Sequence, residues 1–145
     1  SSTMLVCVQG TEEGELCGEI YSCYLKDPIW FRGVGDLVLK LDEMCNWVGM
    51  PHATTDPRFL NLETERRYRE ASSHHPQADR SNLTYTMDQI PFKQALKARE
   101  VLIVYVKYRQ FSSLQGSIRG KITKGKVVNF RSALELMRMI SMIQL

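Results

Sequence analysis

Long apolar runs are missing from this chain. The longest covers 101–106, with Tyr105 counted as apolar, whereas a helix crossing the hydrocarbon core needs about 20 such residues. No membrane-spanning helix and no membrane partner are therefore expected. No charged segment leads into an apolar stretch with a cleavage site, so no secretory signal is read. Glycine and proline are few, 9 and 5 in 145 residues, and 43% hydrophobic stands against 24% charged. This balance excludes disordered, collagen-like and low-complexity classes and leaves an ordinary globular chain. Cysteine pairing is missing too. Cys7, Cys17, Cys23 and Cys45 form no C-x-x-C and fit neither a zinc ribbon nor a c-type haem site. Thiols without a framework predict a reducing cytoplasm, where they act as small buried hydrophobes.

Catalytic signatures are equally scarce. Gly33-Val34-Gly35 lacks the third glycine of a dinucleotide loop, and no P-loop occurs. His74-His75, with Asp79 nearby and His52 distant, is the one metal-like grouping. Adjacent histidines point apart on a helix or strand, and in a polar loop they are solvated. The cysteines fall in expected strands with no glycine-rich elbow before them, so no nucleophile is assigned. The chain is read as a non-enzyme, with no catalytic residue, no metal and no cofactor.

What the chain does contain is an internal duplication, the feature to seek before any other. Laid over residues 102–123, residues 4–25 place Val6 on Val104, Val8 on Val106, Leu16 on Leu114, Gly18 on Gly116 and Ile20 on Ile118. Lys26 falls on Lys124. With one residue inserted in the turn, Phe31-Arg32 falls on Phe130-Arg131, Asp36 on Glu135 and Leu37 on Leu136. Each copy reads as three strands and a helix: 4–9, 16–25, 29–31 and 34–48 in the first, then 101–109, 114–123, 127–130 and 133–144 in the second. Ser132 with Glu135 predicts a capping box at the second helix, with Gly33 and Asp36 in those places at the first.

The expected fold is α+β: two βββα repeats with approximate internal two-fold symmetry, the sheet packed against the helices. Residues 1–145 form one domain, with repeat 1 at about 4–48, a connecting segment at about 49–100 and repeat 2 at about 101–145. A unit of this size is too small to stand alone. In the connecting segment, 62–71 reads as a charged surface helix, 72–83 as a polar stretch and 91–99 as a short helix.

Strand parity assigns the faces. Val6, Val8, Leu16, Gly18 and Ile20, with their counterparts, should meet the helices. The opposite face carries Cys7, Cys17, Tyr21, Cys23 and Trp30 in the first copy, and Tyr105, Lys107, Gln115, Arg119 and Lys121 in the second. A tryptophan beside three cysteines is expected to lie under the connecting segment or a second subunit. The last helix is apolar nearly all round and should be buried on most sides. Trp30, Cys7, Cys17, Met137, Met139 and Met142 are therefore the candidate interface, for a homodimer or another protein.

Charge is segregated. Residues 4–48 hold three bases against eight acids, net −5, while 101–145 hold eight bases against Glu135, net +7. Strand-borne bases interleaved with tyrosines can track a phosphate backbone, so Tyr105, Lys107, Arg109, Arg119 and Lys121 are the candidate nucleic-acid contacts. The leading reading is a non-catalytic protein-interaction or scaffold protein. The alternative is a nucleic-acid-binding protein that uses the basic strand face of repeat 2.

The strings Ser112-Ser113-Leu114-Gln115-Gly116 and Phe130-Arg131-Ser132-Ala133-Leu134-Glu135-Leu136 resemble a segment, LQG…FRSxxEL, of a group of small uncharacterised bacterial proteins. The likeness covers mainly the last 45 residues. It implies a bacterial cytoplasmic origin and supplies no site.

Overall fold

The computed structural model describes residues 3–73 and 97–145. Six strands, β1 (Thr3–Glu12), β2 (Glu15–Ser22), β3 (Ile29–Arg32), β4 (Glu100–Tyr108), β5 (Gln115–Gly120) and β6 (Val128–Phe130), form one antiparallel sheet. Three helices accompany them among the described residues: α1 (Val34–Val48), α2 (Leu62–Ser73) and α3 (Ala133–Ile140). The class is α+β.

The sheet order is β3-β2-β1-β4-β5-β6, with β1 and β4 side by side at its centre. Met4 faces Val104, Leu5 faces Ile103 and Val6 faces Leu102 across this seam. The flanking hairpins use matching registers. Val6 pairs with Ile20 and Val8 with Gly18; Val104 pairs with Ile118 and Val106 with Gly116. Each hairpin then breaks register once, between Val8 and Gly10 and between Val106 and Tyr108. At the edges Gly18 pairs with Phe31 and Gly116 with Phe130.

Side-chain alternation places Met4, Val6, Val8, Ile20, Val104, Val106 and Ile118 on one face. There they cluster with Leu37, Leu41 and Met44 of α1 and Leu136 and Ile140 of α3. This is the main core. On the other face Leu5, Cys7, Tyr21 and Cys23 form a smaller buried cluster with Ala98, Val101 and Ile103.

The last helix is shorter than its apolar pattern predicts and is not buried on most sides. It ends at Ile140, after which the backbone bonds tighten, Met142 N–H to the Met139 carbonyl and Ile143 N–H to the Ile140 carbonyl, the 3-10 pattern of a helix end. Leu136 and Ile140 are buried, and Leu134 and Met142 face outward. The strand expected over 114–123 likewise stops at Gly120 and passes into a 3-10 turn, Lys121–Thr123. The charged helix of the connecting segment is α2, with Glu63 and Glu65 paired to Arg66, Arg67 and Arg69. His74-His75, Asp79 and residues 91–96 lie outside the described residues.

Both strand-borne helix starts use a carboxylate in an unexpected way. Ser132 Oγ accepts from the Glu135 N–H at 3.1 Å, as a cap should. The Glu135 carboxylate, however, reaches one residue further back than the box, accepting from the Arg131 N–H at 3.1 Å and from its guanidinium. Asp36 does the same to the Arg32 N–H at 2.9 Å, where Gly33 provides no side-chain cap.

Ser132→Ala should therefore cost about 0.5–2 kcal/mol in denaturant unfolding; an unchanged midpoint would mean that the hydroxyl does not cap. The bond to Arg131 holds the Glu135 carboxyl below the usual glutamate range. A folded pKa below the unfolded one adds stability that is present above the unfolded value and is lost as pH falls through the folded value. Tm measured across the acid range below about pH 4.3 should therefore fall more steeply for the wild type than for Glu135→Gln.

Glycine is needed where the hairpins approach most closely. A Cβ on Gly18 would run into the Cys7 carbonyl oxygen, and one on Gly116 into the Tyr105 carbonyl oxygen, with the Phe130 ring also close. Gly116→Ala should destabilise by about 1–3 kcal/mol, the range for overpacking a filled site, read as a lower urea midpoint with an unchanged slope.

Candidate functional site

The basic strand face takes its form from β4 and β5. Tyr105 is exposed opposite Ser117. Arg119 stands two residues along β5 from Ser117, so the pleat brings it to the same face, where it is exposed, as is Lys121 in the following turn. Lys107 Nζ sits 5.3 Å from the centroid of the Tyr108 ring, within cation–π range. Tyr108, opposite Gln115, thus joins this face, which strict alternation denied it.

The irregularity between Val106 and Tyr108 is the reason. An extra residue reverses the parity that follows it. It brings Tyr108 out and turns Arg109 in. Arg109 is accordingly separated from Tyr105, Lys107, Arg119 and Lys121. It is 4% exposed, and its Nε donates to the Pro51 carbonyl at 2.7 Å. Its Nη1 donates to the Asp42 carboxylate at 3.1 Å and to the Asp42 carbonyl at 3.4 Å. The backbone carbonyl of Arg109 accepts from the Thr54 N–H at 3.1 Å, and Ala53 bridges to Arg109. The guanidinium ties the end of β4 to α1 and to the segment after it. A planar, weakly hydrated cation suits such burial.

Beside this tie lies a cleft of about 150 Å³, lined by Val38 and Leu39 of α1, Tyr68 of α2, Ser112, Ser113 and Leu114, and Ala133 of α3. Leu39 on its lining is 71% exposed, and Phe111 and Leu134, next in sequence to lining residues Ser112 and Ala133, are 86% and 54% exposed. None of the three was singled out as a contact from the sequence. Helical periodicity marks buried positions and has no signal for Leu39 or Leu134 on the outer side of a helix, and Phe111 is in the turn between β4 and β5, outside any periodic element.

The candidate interface residues divide. Cys7 and Cys17 are buried, Met137 and Met139 are half-buried against the main core, and Trp30 and Met142 offer exposed surface. All four cysteines are free and buried. Burial, with the Glu19 charge adding to it, pushes the Cys7 thiol up to about 11. Burial pushes Cys45 up to about 12, against the opposing charge of Arg109. Both are protonated at neutral pH and poor nucleophiles. Among the described residues no group of three or more His, Cys, Asp or Glu is placed to hold a metal ion.

The acidic pole is equally concrete. Arg32 lies between Glu12 at 3.8 Å, Glu13 at 2.6 Å and Glu15 at 3.2 Å around the β1–β2 turn, so three carboxylates share one cation. No family model, no curated protein and no solved structure matches this chain.

Removing the half-exposed Asp42 carboxylate leaves the buried Arg109 with carbonyl partners alone. Asp42→Asn should cost about 1.5–3 kcal/mol in thermal or denaturant unfolding, the range for a hydrogen bond to a charged group, and Arg109→Lys should not restore the paired bonds that the planar fork makes. A neutral Asp42→Asn would show that the carbonyls of Pro51 and Asp42 hold Arg109 without the charge.

Proposed function

We propose that this chain is a non-catalytic protein-interaction or scaffold module. The observation that carries this reading is the cleft between α1 and α3 with the exposed Leu39 on its lining, and with exposed Phe111 and Leu134 next in sequence to its lining residues Ser112 and Ala133. Large apolar side chains grouped at a concave surface are what a protein partner covers. The buried thiols and the internally paired Arg109 add no reactive group to that surface. Four unpaired thiols suit the reducing cytoplasm of a bacterial cell.

In this reading the module is a single domain of two duplicated βββα halves related by an approximate two-fold axis near the Leu5–Ile103 pair. The matching hairpin registers support it, as do the paired glycines against backbone carbonyls and the carboxylates that reach back to Arg32 and Arg131. Self-association fits the same surface, while Trp30, opposite Glu19, is exposed on the other face of the sheet. Sedimentation at micromolar concentration should give a dimer mass that Leu39→Glu with Leu134→Glu converts to a monomer. A monomeric wild type that also enriches no protein from a lysate would remove the interaction reading.

The strand face favours a second reading, nucleic-acid binding, because Tyr105, Tyr108, Lys107, Arg119 and Lys121 are exposed together. In this reading the tyrosines stack nucleobases, each worth about 1–3 kcal/mol, and the lysines and arginine release counterions from phosphate. Fluorescence anisotropy with a single-stranded oligonucleotide should then show affinity falling steeply with salt, and Arg119→Ala should reduce the salt slope by about one unit. Arg109→Ala should leave that slope unchanged. Absence of binding at low salt would exclude this reading.

A further inference from the structure

We propose that the hollow at the C-terminal end of α1 is a binding site for a small molecule, which it takes through a carbonyl or carboxylate oxygen. The hollow holds about 160 Å³ and is lined by Cys45, Asn46, His52, Asp56, Tyr68 and Arg109. That is room for about five waters, well below the several hundred Å³ of a drug-sized pocket, so the ligand is a short acid or amide.

The floor and the rim differ. Cys45, Asn46 and Arg109 are buried, and His52 and Asp56 are exposed. Asn46 is 3% exposed, and among the described residues its Nδ2 has no hydrogen-bond partner. A buried donor left unpaired carries the full cost of losing water. Nothing in the helix requires an amide there. The neighbouring buried positions, Leu41, Met44, Cys45 and Val48, are all apolar, and asparagine is a poor residue for a helix interior. A leucine would fill the same space with no polar atom to satisfy.

The second floor group is also a donor. Arg109 spends Nε and Nη1 on Pro51 and Asp42, bonds that fix its plane as part of the wall. The Asn46 Nδ2 group and the Arg109 Nη2 group, which these bonds leave over, are both donors, so the floor selects an oxygen acceptor. The Arg109–Asp42 pair is close to neutral, so the hollow accepts a carbonyl oxygen as well as a carboxylate. This hollow adjoins the cleft beside Leu39, with Ala53, Tyr68 and Arg109 in both linings, and is separate from the basic strand face.

The test uses acetate and its neutral isostere acetamide as probes, titrated into the full chain while the Asn46 side-chain amide and the Arg109 Nε–H are followed by heteronuclear NMR. The expected result is a saturable shift of both signals with at least one probe, with half-effect on the order of millimolar for so few atoms. Response to acetate alone identifies a carboxylate ligand, and response to acetamide alone a neutral carbonyl. Asn46→Leu should weaken the response at Arg109 at least tenfold while the chain keeps or raises its Tm, and Asn46→Ala serves if the leucine variant does not fold. Two results overturn the proposal: neither probe giving a saturable shift, which leaves Asn46 bonded only to trapped water, or a shift at Arg109 that survives in the Asn46 variant.

Discussion

The antiparallel pairing of β1 with β4 is the interaction on which the rest of this molecule depends. Each flanking strand set has one hairpin, one edge strand and one helix, and the edge strands are short, four and three residues. Neither set encloses a core alone. Joined at the seam, Val6, Val8, Leu102, Val104 and Val106 lose all exposure, and α1 and α3 come to lie over one continuous apolar face. The seam also removes two edges that unpaired hairpins would present to other chains. The buried cluster on the opposite face, Leu5 and Cys7 with Val101 and Ile103, forms across the same two strands.

The register breaks are the second constraint. One extra residue near the end of β4 sends Arg109 to the helix side and Tyr108 to the strand side. A single backbone irregularity therefore sorts one guanidinium into a structural tie and one phenol into a candidate contact. Charge is sorted in parallel. Arg32 gathers Glu12, Glu13 and Glu15 at one hairpin, while Lys107, Arg119 and Lys121 stay exposed on the other half of the sheet. Opposite poles on one small body favour ordered contact with a charged partner, since like charges brought together oppose it.

Much of the architecture was legible because it rests on periodicities that residues carry individually. Alternation in 4–8 and 102–106 identified the core face, and Ser132 with Glu135 identified the start of α3. The unread part rests on geometry with no local code. The register breaks follow from how two strands fit, so parity beyond Val106 was misassigned and Arg109 was grouped with the strand-face bases. The end of α3 is a tightening of the backbone ladder, Met142 to Met139 and Ile143 to Ile140, which the apolar pattern of the segment does not encode. Asn46 gave no signal, because an isolated asparagine in an amphipathic helix looks like a surface residue until its burial is seen.

Native-state hydrogen exchange tests the primacy of the seam most directly. If β1 and β4 hold both halves in one core, their amides should be the slowest to exchange, and those of β2 and β5 should follow with the same denaturant dependence, as members of one cooperative unit. Protection that persists in β4–β6 and α3 under conditions where β1–β3 and α1 have already exchanged, or the reverse, would mean that one half stands without the other and would contradict this account.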